Sequence, residues 1–264
     1  TPQKEEKEGI NITLDNGEED ALDIKHLEVM VAEACEGLEG TNAKHIIDEA
    51  NKNLYDGVTE EDARTSLVMT SRTLVEQEPN YTYVTARILL DNIRTEALSY
   101  LGMQKQATLH EMEDLYPQAL RNFLAKGVEN EILNPELLEM DIEKLGKAIH
   151  ATRDADFTYL GLQTLYDRYF IHDTEVRYEL PQVFFMRVSM GLALREDKRE
   201  ERAIEFYNLL SSFDYMSSTP TLFNSGTKHS QLSSCYLTTV PDDLHGIYGA
   251  IQDNAMLSKW AGGL

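Results

Sequence analysis

The sequence predicts a mainly α-helical protein that opens on a β-hairpin and becomes extended again shortly before its last helix. Three observations carry that expectation. Apolar residues recur at three- and four-residue steps through most of residues 24–213, the period of a helix with one buried face. Asn16-Gly17 is a hairpin-turn dipeptide set between the short β-prone runs of "INITLDNGEEDALDI". Near the other end, "STPTLFNSG" and "SSCYLTTV" replace the helical period with proline and glycine punctuation and two-residue alternation.

Composition bounds the function before any motif does. With 42 % hydrophobic residues in 264, the chain can bury a real core. Its longest strongly apolar run, "LPQVFFMRVSMGLAL", is too short for a bilayer and carries Arg187, and "TPQKEEKEG" is too polar for a signal peptide. A soluble, cytoplasmic protein is expected. Two cysteines without C-x-x-C spacing make no disulfide framework, suit a reducing compartment, and leave thiol chemistry to one cysteine or to a partner elsewhere. A net charge of −22, from 46 acidic and 24 basic residues, repels phosphate backbones and anionic lipid, so neither nucleic acid nor membrane is an expected partner.

The elements follow in order. Residues 1–9 are a charged lead-in to the hairpin. Ile24, Leu27, Val31, Ala34 and Leu38 mark a first helix ended near Gly37 and Gly40, with Cys35 on its buried stripe. The loop "NLYDGV" leads to Thr59, an N-cap for a helix beginning at Glu60, with Asp62 supplying the reciprocal acid; Pro79 closes it. "YVTARILLDNIRTEALSYL" is a further helix ending near Gly102, so residues 10–101 read as one compact hairpin-plus-helices domain. Residues 102–215 read as a helical domain, in which Asn134-Pro135 is a capped start and Pro181 opens a segment apolar on nearly every face. "REERAIEFYNLLSSF" is amphipathic, with Ile204, Tyr207 and Phe213 on its apolar side.

In residues 216–264, Pro220 excludes a helix and Gly226 ends a short extended run. "SSCYLTTV" is expected as a strand with Cys235, Leu237 and Thr239 on one face and Tyr236, Thr238 and Val240 on the other, stopped by Pro241. Asp242 or Asp243 then caps a last helix whose stripe is Leu244, Ile247, Ile251, Ala255 and Lys259, running to Gly262-Gly263.

Taken singly, these residues favour plain readings. Cys35 is a packed thiol. Spacing alone makes Cys235 a buried strand thiol, because reactivity needs an exposed setting that favours the thiolate. Thr221 and Ser234 satisfy local backbone groups, Asp242 and Asp243 cap a helix, and Gly262-Gly263 is a turn. His172, His229 and His245 have no ligand spacing, so no metal is assigned.

Together, "STPTLFNSG", "LSSCYLTTVPDDL" and "AMLSKWAGGL" resemble the N-terminal half of the large, catalytic subunit of class I ribonucleotide reductase. "DFTYLGLQTLYDRYFI" and "YELPQVFFMRVSMGLA" resemble the helical domain before that family's ten-stranded α/β barrel, and residues 10–101 its regulatory ATP-cone. The resemblance implies that residues 216–264 hold the first strands and helix of the barrel. It implies a redox role for Cys235, one of two thiols that reduce the ribose of a ribonucleoside diphosphate. Thr221 would contact that substrate and Ser234 line its pocket. Asp242, Asp243 and Leu244 would begin the specificity site for a deoxynucleotide or ATP effector, and the helix over residues 243–260 would pair across a homodimer. A radical-generating small subunit and thioredoxin or glutaredoxin are the implied partners, and no cofactor is assigned to this chain itself.

Departures from the family pattern shape the expectation further. The family's radical-bearing cysteine, second reducing cysteine, active-site glutamate, radical-relay tyrosines and C-terminal cysteine pair would all lie beyond residue 264, so a fragment or split-gene product, inactive alone, is expected. Nucleotide-binding cones carry a basic V-x-K-R-x-G strand; here Leu14 and Asp15 stand at the basic positions, and Glu60 and Glu96 at other ligand positions. Acids there repel a triphosphate, which implies a cone that has lost nucleotide binding, with a functional first cone preceding it in some family members. The contrasting readings are a non-catalytic helical regulatory or assembly module, and a plain α-rich domain with two structural cysteines.

Overall fold

The computed structural model describes residues 11–13, 19–21, 24–52, 57–104, 106–174, 176–259 and 262–264. The fold is mainly helical. It divides into two compact units, Thr1–Glu113 with Ala151–Arg168, and Asp114–His150 with Tyr169–Leu264.

The first unit begins with β1 (Asn11–Thr13) and β2 (Glu19–Ala21), an antiparallel pair with Ile12 opposite Asp20. Leu14, Asp15 and the turn expected at Asn16-Gly17 lie outside the described residues. α1 (Ile24–Cys35) buries Leu27, Val31 and Ala34 of the expected stripe and Met30 besides, while Cys35 and Leu38, also expected on it, are only half-buried. α2 (Ala43–Ala50) starts at Asn42, whose side chain accepts from His45 N, and buries Ile46 and Ala50. β3 (Val58–Thr59) returns to pair in parallel with β1, giving the order β2-β1-β3, a non-local pairing that no short-range signal announces.

α3 (Glu60–Thr73) is capped as expected: Thr59 Oγ1 accepts from Asp62 N at 3.0 Å. It ends at Thr73, ahead of a 3-10 turn at Leu74–Glu76 and of Pro79. α4 (Tyr81–Tyr100) is the central helix; Val84, Ile88, Leu90, Ile93 and Leu98 are buried against α1, α3 and a later helix. Its Asp91 carboxylate, 1 % exposed, accepts from Arg64 Nη1 at 2.6 Å, with His26 Nε2 at 3.6 Å and Arg94 Nη2 at 3.8 Å. This buried ionic knot ties α1, α3 and α4 together.

α5 (Met112–Glu129) opens at the edge of the first unit and runs on into the second, where α6 (Ile142–Lys147) follows, capped by Asp141. The first unit is completed by α7 (Tyr159–Arg168), which lies on α4 with Tyr166 Oη donating to Glu96 Oε2 at 2.7 Å.

The second unit adds the short hairpin β4 (His172–Asp173) and β5 (Val176–Arg177), then α8 (Pro181–Ala193) and α9 (Arg199–Ser211). α8 is buried on nearly every face, as its composition predicts, and packs along α9. Tyr207 Oη donates to buried Gln182 Oε1 at 2.8 Å and accepts from His150 N at 2.9 Å, so α9 satisfies one polar group inside this core and one at its margin.

Two local expectations are overturned. "STPTLFNSG" is not extended: α10 (Thr219–Asn224) is a short helix with Pro220 in its first turn, where a missing N–H costs no intrahelical bond. "SSCYLTTV" is not a strand among the described residues: Cys235 makes an isolated parallel bridge with Gly263, and one bridge is too short a ladder to define a strand. α11 (Leu244–Lys259) follows as expected, with Gly246 N donating to Asp243 Oδ1 at 2.8 Å; Trp260 lies outside the described residues.

Candidate functional site

The candidate site is built outward from α8. Arg187 and Glu179 are both 0 % exposed. The guanidinium fork spans the Glu179 carboxylate, Nε to Oε1 at 2.7 Å and Nη2 to Oε2 at 3.2 Å. Its remaining arm, Nη1, donates to the carbonyls of Leu222, Phe223 and Ser225 at 3.2, 3.3 and 2.7 Å. Those carbonyls lie at and just past the end of α10, where helix acceptors lack partners of their own. Ser225 Oγ adds a bond to Val188 O at 2.6 Å. Gly191 permits the approach, since a Cβ there would lie 2.1 Å from Gly226 N, and Gly226 itself has φ +78°.

α10 in turn holds the cysteine-bearing stretch. Thr221 Oγ1 donates to Leu232 O at 3.1 Å and Asn224 Nδ2 to Gln231 O at 2.7 Å. Ser234 O accepts from Gly263 N, and Tyr236 N donates to Gly263 O, both at 2.9 Å. Thr238 Oγ1 donates to Asn254 Oδ1 on α11 at 2.7 Å. The alternation expected of this stretch holds without a strand only as far as Thr239: Tyr236 and Thr238 are half-buried and Cys235, Leu237 and Thr239 are exposed, but Val240, expected on the face of Tyr236, is exposed as well.

Cys235 is exposed, which corrects the buried thiol that spacing favours. Cys35 is half-buried, and burial pushes its thiol up, against the smaller opposing pulls of Thr41 and Arg87. Of the two thiols, the one at 235 is open to reagents and to a bound molecule. Among the described residues, no group of three His, Cys, Asp or Glu side chains is placed to hold a metal, and no helix is long and apolar enough to cross a membrane.

The chain's residues 155–230 match the family model described as "Ribonucleotide reductase, all-alpha domain". The ribonucleoside-diphosphate reductase subunit alpha of Chlamydia muridarum is 47 % identical over 236 residues, 89 % of this chain and 22 % of the relative. That of Helicobacter pylori (strain 26695) is 32 % identical, over 97 % of this chain and 31 % of the relative. The large subunit of Danio rerio is 33 % identical, over 96 % and 31 % respectively. The chain belongs to the ribonucleotide reductase large-subunit family. It corresponds to an N-terminal portion of such a subunit and spans between about a fifth and a third of the length of these relatives.

Within this large-subunit portion, the sequence-selected residues fall on connected ground. Thr221, Ser234 and Cys235 are linked through the bonds of α10 and Gly263, and Asp243 caps the helix to which Thr238 is tied. Asp242 and Leu244 are exposed beside it. Sequence reasoning missed Arg187, Glu179 and Asn224. A lone arginine inside an otherwise apolar run was the available signal, because a buried charge demands a partner.

Proposed function

We propose that this chain is the N-terminal part of the subunit that reduces ribonucleoside diphosphates to deoxyribonucleoside diphosphates by radical chemistry in the cytoplasm. Cys235 is one of two reducing thiols. Loss of the ribose 2′-hydroxyl as water consumes two electrons and two protons, which two thiols supply on closing to a disulfide. The second thiol and the radical-bearing cysteine come from the rest of the subunit, the radical from a small subunit, and re-reduction from thioredoxin or glutaredoxin. Thr221 and Ser234 contact the substrate, while Asp242, Asp243 and Leu244 open the effector site for a deoxynucleotide or ATP.

Residues 10–101 act as a cone-like regulatory domain that no longer binds nucleotide, residues 102–215 as the helical domain, and residues 216–264 as the first part of the α/β barrel. α11 is the homodimer helix; its Leu244, Tyr248 and Ile251 are 72, 65 and 56 % exposed, an apolar face that a second copy would cover. The observation that carries the reading is the outward-facing thiol of Cys235 on a stretch bonded to the helix of Thr221. The test is Cys235→Ser in the complete large subunit assayed with its small subunit and thioredoxin. Turnover should vanish with the quaternary assembly intact. Undiminished deoxynucleotide formation would instead favour the non-catalytic assembly module.

A further inference from the structure

We propose that the buried Arg187–Glu179 pair is a positioning device that fixes α10, and through it the placement of Cys235 relative to Thr221, for the reaction. This rests on the role of Cys235 proposed above. A buried ion pair is a poor means of stabilising a core, since apolar side chains of similar volume serve as well or better. What the pair supplies is geometry. The planar fork leaves Arg187 a single orientation on Glu179, whose Oε2 is fixed again by Ile171 N at 2.9 Å. The free arm then gathers three carbonyls at the end of a helix of only six residues, which has little hydrogen bonding of its own to define its position.

From α10 the constraint passes outward through two bonds to adjacent carbonyls, Asn224 to Gln231 and Thr221 to Leu232. Cys235 lies three residues farther on, next to its only described ladder contact, Gly263. Neither Arg187 nor Asn224 bears a reacting atom, so both act as positioning residues.

The experiment compares Arg187→Lys and Asn224→Ala with the parent in the complete large subunit and its small subunit. Lysine keeps the charge but cannot span Glu179 and three carbonyls at once. The alanine at half-buried Asn224 cuts one outward bond and leaves the core alone, so a folded protein is available even where the lysine variant unfolds. Two readouts are taken on the folded fraction: the split between KM for a ribonucleoside diphosphate and kcat, and the alkylation rate of Cys235 relative to Cys35. The expected result is a loss of kcat/KM of about tenfold to a hundredfold and a several-fold change in relative alkylation, with unchanged thermal midpoint for Asn224→Ala. A role confined to stability would lower the folded fraction and leave both readouts within about twofold of the parent, which overturns the proposal. Should Cys235→Ser remain active, the functional reading falls separately, and the alkylation ratio alone decides whether the pair holds the stretch.

Discussion

Replacing Asp91 with asparagine should destabilise the first unit by about 3 kcal/mol, because it removes a buried counter-charge that faces two buried cations. Arg64 and Arg94 are 8 % and 3 % exposed, and their nearest guanidinium nitrogens stand 2.6 and 3.8 Å from the Asp91 carboxylate. At an effective dielectric of about 20, one such pair near 4 Å is worth about 4 kcal/mol, most of which offsets the desolvation of the charges. Asparagine keeps the shape and one acceptor for Arg64, which places the loss toward the lower end of the range for a broken buried pair.

The same carboxylate predicts a pH signature. Burial pushes the Asp91 carboxyl up, but the His26 imidazole and the charges of Arg64 and Arg94 pull harder, leaving it below the ordinary aspartate value. A carboxyl lowered in the folded state adds stability above its unfolded value of about 3.9, and that stability is lost as pH falls through the folded value. The parent-minus-variant difference should therefore be complete at neutral pH and shrink in acid. Urea unfolding followed by hydrogen exchange at the α3 and α4 amides would measure it within this unit. A difference below about 1 kcal/mol at neutral pH, or one that persists undiminished in strong acid, would refute the reasoning.

Three shorter predictions follow from the rest of the chain. Iodoacetamide near neutral pH should modify Cys235 before Cys35, since the thiol at 35 is half-buried and pushed up by burial; peptide mapping over time would read the order. Calorimetric titration with ATP or dATP should release no heat if Asp15 and Leu14 abolish nucleotide binding as proposed, whereas micromolar binding would return the cone-like unit to use as an on/off switch. Ile251→Asp in the complete subunit should weaken self-association by at least about tenfold in sedimentation, because it buries a charge in the proposed dimer face.

Local chemistry was the legible part of this molecule. Thr59 and Asp243 cap helices through side-chain bonds that span three residues, and the buried stripe of α1 is a matter of period. Proline misled at residue 220, where the first-turn position removes the usual objection to a helix. The parallel return of β3 to β1 brings residues 12 and 58 together, a distance in sequence that no motif reports. At the site, the sequence named Cys235, Thr221 and Ser234 through family resemblance, but not what holds them. Arg187 reaches carbonyls 35 to 38 residues away, and only its isolation in an apolar run hinted that it had somewhere to reach.

The chain's path through its first unit bears on how that unit is made. Residues 1–113 leave it unfinished, and the cover over α4 arrives only with residues 151–168. During synthesis, α1 to α4 must wait on the ribosome surface through several dozen further codons before Tyr166 can bond to Glu96. A protease cut or a stop codon after residue 101 would release a species lacking that closure, with a more apolar outer face on α4 than the same residues present in the whole chain.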